Sequence, residues 1–147
     1  MASAIPNSAK ANLVNGTIDL NTHDIRARLC MTNTTCDTEV DAIADLADYT
    51  TIDPCDATGY VDVQLGTEAV NVDDTNNRAE FDADNTVFSG LGGDASRDIQ
   101  GVLIYKYVDG TNANDLPIAF IDFTADIPST ATQIDIPWDA EGILQIA

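Results

Sequence analysis

Between residues 25 and 31 the chain alternates strictly. Ile25, Ala27, Leu29 and Met31 fall on one side of an extended backbone, while Asp24, Arg26, Arg28 and Cys30 fall on the other. Successive side chains of a strand point to opposite faces, so this period of two predicts a half-buried strand with Ile25, Leu29 and Met31 turned inward. The same signature returns over 60–65, 69–72, 78–81, 86–88, 99–108, 116–123, 134–138 and 143–146. Val102-Leu103-Ile104-Tyr105 is the most apolar of these runs and is predicted to be the central strand. In 116–123 the alternation places Ile118, Phe120 and Asp122 on one face and Ala119, Ile121 and Phe123 on the other. Turn chemistry separates the runs. Asp73-Asp74-Thr75-Asn76-Asn77 and Asp109-Gly110-Thr111-Asn112 hold residues that bond their own backbone or tolerate positive φ.

A helical period occurs over 37–48. Val40, Ile43, Ala44, Leu46 and Ala47 form an apolar stripe, Asp41, Asp45 and Asp48 lie opposite, and Asp37 or Thr38 is placed to cap. This predicts one short helix inserted between early strands. Residues 9–14 fit a single helical turn ended by Asn15-Gly16. Residues 1–9 are small and polar, with Ile5-Pro6 as their only apolar handle, and predict a flexible N-terminal arm. Eight or nine short strands with Gly/Asn/Asp turns predict a mainly β chain. The expected fold is an antiparallel β-sandwich or jelly-roll-like domain over 10–147, preceded by the 1–9 arm.

The charge changes how that fold is pictured. Of 147 residues, 25 are Asp or Glu and six are Lys or Arg, giving a formal charge of −19. The acid is 21 Asp against 4 Glu, and the bases include only two Lys. Such a chain repels phosphates and anionic headgroups, which excludes nucleic acid and membrane surfaces as expected partners. The 44% of apolar residues excludes disorder as the default. Repulsion among so many like charges is relieved by concentrated salt, where the Debye length is roughly 3 Å at 1 M. The composition therefore predicts adaptation to high salt. No basic start or apolar run marks a secretory signal, and no stretch of about 18 apolar residues predicts a membrane-spanning helix.

Little in the chain resembles catalytic equipment, and no enzyme is expected. The only histidine, His23, sits in a polar turn and reads as a turn residue. Gly90-Leu91-Gly92-Gly93 is followed by Asp94, the wrong charge for a phosphate loop. With 25 acids, chance pairs of carboxylates are unavoidable, so no pair signals acid–base chemistry. One cation site is a candidate: Asp73, Asp74, Asp82 and Asp84 cluster around one hairpin and offer the oxygens that a structural Ca²⁺, Mg²⁺ or Na⁺ would need. No other cofactor is expected. Three cysteines, Cys30, Cys36 and Cys55, cannot all pair internally. One bridge is possible, for instance Cys36 to Cys55, and idle buried thiols are the alternative.

Six stretches taken together resemble a known family. They are 11–20 (Ala-Asn-Leu-Val-Asn-Gly-Thr-Ile-Asp-Leu) with the strand after it, Asn76-Asn77-Arg78-Ala79-Glu80-Phe81-Asp82-Ala83-Asp84, Gly101-Val102-Leu103-Ile104-Tyr105-Lys106, Pro117-Ile118-Ala119-Phe120-Ile121-Asp122-Phe123, Ile136-Pro137-Trp138-Asp139, and Gly142-Ile143-Leu144. In this order they are similar to small head-surface proteins of tailed phages and viruses, the capsid decoration or cement proteins. The region 30–59 departs from the pattern. The resemblance implies a β-sandwich virion structural protein on the outer surface of the head, with the major capsid protein as partner and a homo-oligomer, a trimer being favoured. Ile5 and Pro6 of the arm, and exposed strand edges, are the expected capsid contacts. The alternative is a tail-associated or surface β-sandwich binding a receptor or carbohydrate. Sugar-binding modules present exposed aromatics, and this chain has one Trp, four Tyr and four Phe, mostly inside strand patterns.

Overall fold

The computed structural model describes residues 2–147. Its elements run β1 (Ala2–Ala4), α1 (Asn7–Val14), β2 (Ile25–Met31), β3 (Val63–Gln64), β4 (Ala69–Asp73), β5 (Arg78–Asp82), β6 (Thr86–Ser89), β7 (Ile99–Lys106), β8 (Leu116–Ile127), β9 (Gln133–Ile136) and β10 (Leu144–Ile146). All pairings are antiparallel. A five-stranded sheet has the order β1-β8-β7-β2-β3, and β10-β5-β4 and β6-β9 form two smaller sheets. The protein is thus mainly β and sandwich-like, and β7, the most apolar run, occupies the middle of the large sheet.

Two cores lie on the two faces of that sheet. Ile25, Ala27, Leu29 and Met31 of β2, with Val102 and Ile104 of β7, pack against Phe81, Phe88, Ile134, Ile136 and Leu144 from the smaller sheets. On the other face Cys30, Leu103, Tyr105 and Phe120 are buried together with Cys36, Ile43, Leu46, Tyr49 and Ile52. The segment 32–52 therefore acts as a cover over the large sheet, which is why Cys30, expected to face outward, is fully buried. Strand β8 departs from simple alternation. Its register on β7 shifts between Ile104 and Tyr105, where Ala119 faces Ile104 but Pro117 faces Tyr105. This bulge turns Ile118 into the same core as Ala119 and Ile121 and leaves Phe120 with the cover. At Gly101 a Cβ would stand 2.5 Å from the Ile121 carbonyl oxygen and from the Phe120 ring, so only glycine allows β7 and β8 to approach there.

The helix predicted over 37–48 does not form. The only helical turn in that stretch is a 3₁₀ turn at Leu46–Asp48, and Ala42 takes a left-handed φ of 59°. Two forces oppose the helix. Aspartates at 37, 41 and 45 would stack like charges four residues apart. The Asp45 and Asp48 carboxylates instead accept backbone N–H groups at Ala47 and Ala44, which competes with helical bonding. The apolar stripe still reaches a core, because Ile43, Leu46 and Tyr49 insert into the cover's contact with the sheet.

The chain's α-helix is α1, which extends the expected 9–14 turn back to Asn7 and ends at Asn15 and Gly16. It lies before the first long strand, outside any insertion. The segment predicted as an arm is folded onto its own chain. β1 pairs with β8 through Ala2–Asp122, Ser3–Ile121 and Ala4–Phe120, Pro6 is buried, and Ala9 is fully buried. The Ser8 hydroxyl also donates to the Ile43 carbonyl and fastens α1 to the cover.

Candidate functional site

The densest polar cluster stands where β2 and β3 meet. Arg26 and Arg28 alternate with the inward Ala27 and Leu29, so both project from the face that carries Cys30. Arg26 is in register with Tyr105 across the β2–β7 ladder. Its guanidinium binds Asp24 with two hydrogen bonds (3.0 and 2.8 Å) and lies 3.5 Å over the Tyr107 ring. The Arg28 guanidinium sits 4.9 Å over Tyr105 and donates to Asn112 at 3.0 Å.

Asp62 organises the cluster. One carboxylate oxygen accepts from the Tyr60 hydroxyl at 2.7 Å. The other accepts from Arg28 Nε at 2.8 Å and from the Tyr105 hydroxyl at 2.7 Å. Tyr60 Oη in turn accepts the Leu29 N–H at 2.8 Å. Tyr60 packs against the main core and stacks on Phe88, whereas Tyr105 belongs to the covered face, so Asp62 ties the two cores together at the sheet's edge. Burial pushes the Tyr60 and Tyr105 phenols well above their ordinary range. They remain donors, and the arrangement locks the two layers together. Sequence reasoning missed it. The available signal was Tyr60 and Asp62 two residues apart, hence on one face of an extended chain, together with Arg28 on a facing strand.

The predicted cation ligands are not brought together. Asp73 accepts the N–H groups of Thr75 and Asn76 and meets Arg78 at 3.4 Å. Asp82 accepts the N–H of Ala83. Asp84 accepts the Thr67 hydroxyl at 2.6 Å, and Asp74 is exposed. Among the described residues no three His, Cys, Asp or Glu side chains converge as metal ligands. The hairpin's aspartates shape its turn, as Asx residues do when they bond backbone two or three positions on. His23 accepts the Asp19 N–H at 2.9 Å inside its own turn. Cys36 does not reach Cys55. The two lie in different cores, and all three cysteines are free thiols.

The same habit extends along the chain. Twelve of the 21 aspartates accept a backbone N–H (Asp19, Asp45, Asp48, Asp53, Asp56, Asp73, Asp82, Asp94, Asp98, Asp109, Asp115 and Asp139). Asp115 is fully buried and gathers the N–H groups of Val108, Asp109 and Gly110 on one oxygen, closing the turn between β7 and β8. The four arginines all pair with acids: Arg26 with Asp24, Arg28 with Asp62, Arg97 with Asp53, and Arg78 with Asp73, Glu80 and Glu141. The two lysines donate to neutral oxygens, Lys10 to Asn7 and Lys106 to the Thr17 carbonyl.

This bonding makes a prediction about acid. Hydrogen bonds from Asn21, Ser96, Asn76, Thr58 and Thr111 hold Asp19, Asp56, Asp73, Asp94 and Asp109 below the usual carboxylate range. A carboxyl whose folded pKa is depressed contributes stability that is complete above its unfolded value, about 4, and is lost as pH falls through the folded value. In molar salt, where repulsion is screened, thermal melting should hold level from pH 8 to about 5 and fall steeply below about pH 4. A melting temperature unchanged down to about pH 2 would contradict this role for the aspartates.

Ile5 and Pro6, the expected capsid contacts, sit at one end of the molecule. Ile5 is half-buried against the main core and borders two shallow hollows. One, of about 370 Å³, lies between Ile121 and the 138–145 segment. The other, of about 340 Å³, lies between α1 and β10 and is lined by Leu13, Val14, Leu144 and Ile146. Val14 is 90% exposed and Ile146 52%, so this end carries apolar surface. Every aromatic side chain, in contrast, is buried or half-buried. Trp138 is 9% exposed and its indole N–H donates to the Asp84 carbonyl.

Compared with family models, with curated proteins and with solved structures, the chain matches none. Among the described residues no helix is long and apolar enough to cross a membrane.

Proposed function

We propose that the chain is a non-enzymatic virion structural protein that decorates the outer surface of an icosahedral capsid in concentrated salt. The observation that carries this reading is the acidity of its surface. The guanidinium groups are held in ion pairs with the protein's own carboxylates, so the surface presented to solvent is acidic on a chain of net charge −19. Exposed Val14 and Ile146 flank a hollow at the α1–β10 end, which is the natural face to lay on a shell. An outward acidic surface keeps particles apart and repels nucleic acid, while an apolar end contacts the major capsid protein. Closed symmetry is the usual mode for such proteins, and a trimer on the local threefold positions of the shell fits it.

A carbohydrate- or receptor-binding module on a tail gains no support from the aromatics, since none offers an exposed platform. Stoichiometry separates the two readings. Purified particles should carry hundreds of copies, co-sedimenting with empty shells as well as full ones. A handful of copies per particle would reassign the protein to a tail, and none would remove it from the virion.

A further inference from the structure

The cover segment is joined to the large sheet at a pair of thiols. Cys30 stands on the outer face of β2, Cys36 stands on the cover, and both are 0% exposed in the same small apolar cluster. Cys30 Sγ donates to the Arg28 carbonyl at 3.8 Å, and the Cys36 N–H donates to Thr34 Oγ1 at 3.2 Å. Tyr49 belongs to the same cluster, with its hydroxyl buried and bonded to no oxygen or nitrogen. Cys55 belongs to the main core on the other face of the sheet.

We propose that Cys30 and Cys36 form a redox-active dithiol that closes to an intrachain disulfide and pins the 32–52 cover to β2. The oxidant class is a small-molecule disulfide. The Cys36 thiolate attacks one of its sulfurs, the S–S bond breaks, and one small thiolate leaves. Cys30 then loses its proton, and its sulfur attacks Cys36 in the mixed disulfide, releasing the second small thiolate. The protein dithiol is oxidised by two electrons and the small disulfide is reduced to two thiols. The local setting assigns the order of attack. The neighbouring Cys30 side chain holds the Cys36 thiol below its ordinary range, whereas burial pushes Cys30 well up. The pair is sealed once the cover is down, so closure belongs to folding or to moments when the cover lifts. This inference does not depend on the capsid reading.

The test is to refold the full chain from urea with reduced and oxidised glutathione, alkylate free thiols, and digest without reduction using a protease that cuts before aspartate. Residues 24–36 then form one peptide holding Cys30 and Cys36, and Cys55 lies in 53–55. The expected 24–36 peptide is two hydrogen masses light and unalkylated, with Cys55 alkylated. Its formation should raise the melting temperature by about 5 °C over the reduced protein. The Cys55→Ser variant should give the same linked peptide and the same rise. A doubly alkylated 24–36 peptide, or a bond joining Cys36 to 53–55, would overturn the pairing. An unchanged melting temperature on closure would overturn the pinning.

Discussion

Replacing Asp62 with alanine should lower unfolding stability by about 3–5 kcal/mol, the usual cost of removing one partner of a buried ion pair. For a domain of this size that is a drop of about 10 °C or more in melting temperature. The magnitude follows from what the carboxylate holds. Arg28 and Asp62 are 12% and 18% exposed at their side chains, so the guanidinium left behind cannot fully rehydrate. The Tyr105 and Tyr60 hydroxyls lose their acceptor at the same time. Tyr105→Phe removes one hydrogen bond to the same carboxylate and should cost about 1.5–3 kcal/mol. Asp74→Ala is the comparison, because Asp74 is exposed and should change stability by less than about 0.5 kcal/mol. Chemical denaturation of the three variants checks the ranking. Equal stability of Asp62→Ala and Asp74→Ala would mean that the two cores are not held together through Asp62.

Lowering the salt is expected to have the second large effect. Transfer from about 2 M to about 0.05 M NaCl extends the Debye length from a few ångströms to more than 10 Å, and repulsion across a −19 chain then reaches between neighbouring acids. The melting temperature should fall by about 10 °C or more, or the fold should be lost. The acids do not contribute equally. Those that accept backbone N–H groups contribute structure as well as charge, whereas Asp74 and Asp126 are exposed charges alone. Asp74→Asn with Asp126→Asn should therefore raise low-salt stability and flatten the salt dependence, while Asp94→Asn should weaken the protein at every salt concentration because Asp94 clasps the Thr58 N–H and hydroxyl. A melting temperature independent of salt would contradict adaptation to concentrated brine.

Strands were legible in the sequence because a half-buried strand writes its burial at a period of two. The run at 25–31 and the apolar centre at 102–105 name their own strands and the middle of the sheet. The bulge that redirects Ile118 was not legible, since a one-residue slip between β7 and β8 is decided by the partner strand. The helix at 37–48 failed for a different reason. Apolar residues three apart fit a helix, but they also fit an irregular segment laid over a flat sheet, and Asp45 and Asp48 favour the latter by bonding nearby N–H groups. The same side chains explain why the aspartates at 73–84 resembled a cation site. Aspartate serves turns and cations with the same oxygens, and only the fold shows which partner each one takes. Asp62 was hidden because two of its three partners, Arg28 and Tyr105, lie far from it along the chain.

In the proposed role the protein lays its α1–β10 end on a shell and turns its charge to the medium. A cryo-EM map of the intact particle tests that directly. It should show density for this fold repeated over the outer face of the head, in groups of three at local threefold positions, with α1 and β10 toward the major capsid protein and Asp74 and Asp126 toward solvent. Density confined to the tail, on the inner face of the shell, or nowhere on the particle would contradict it.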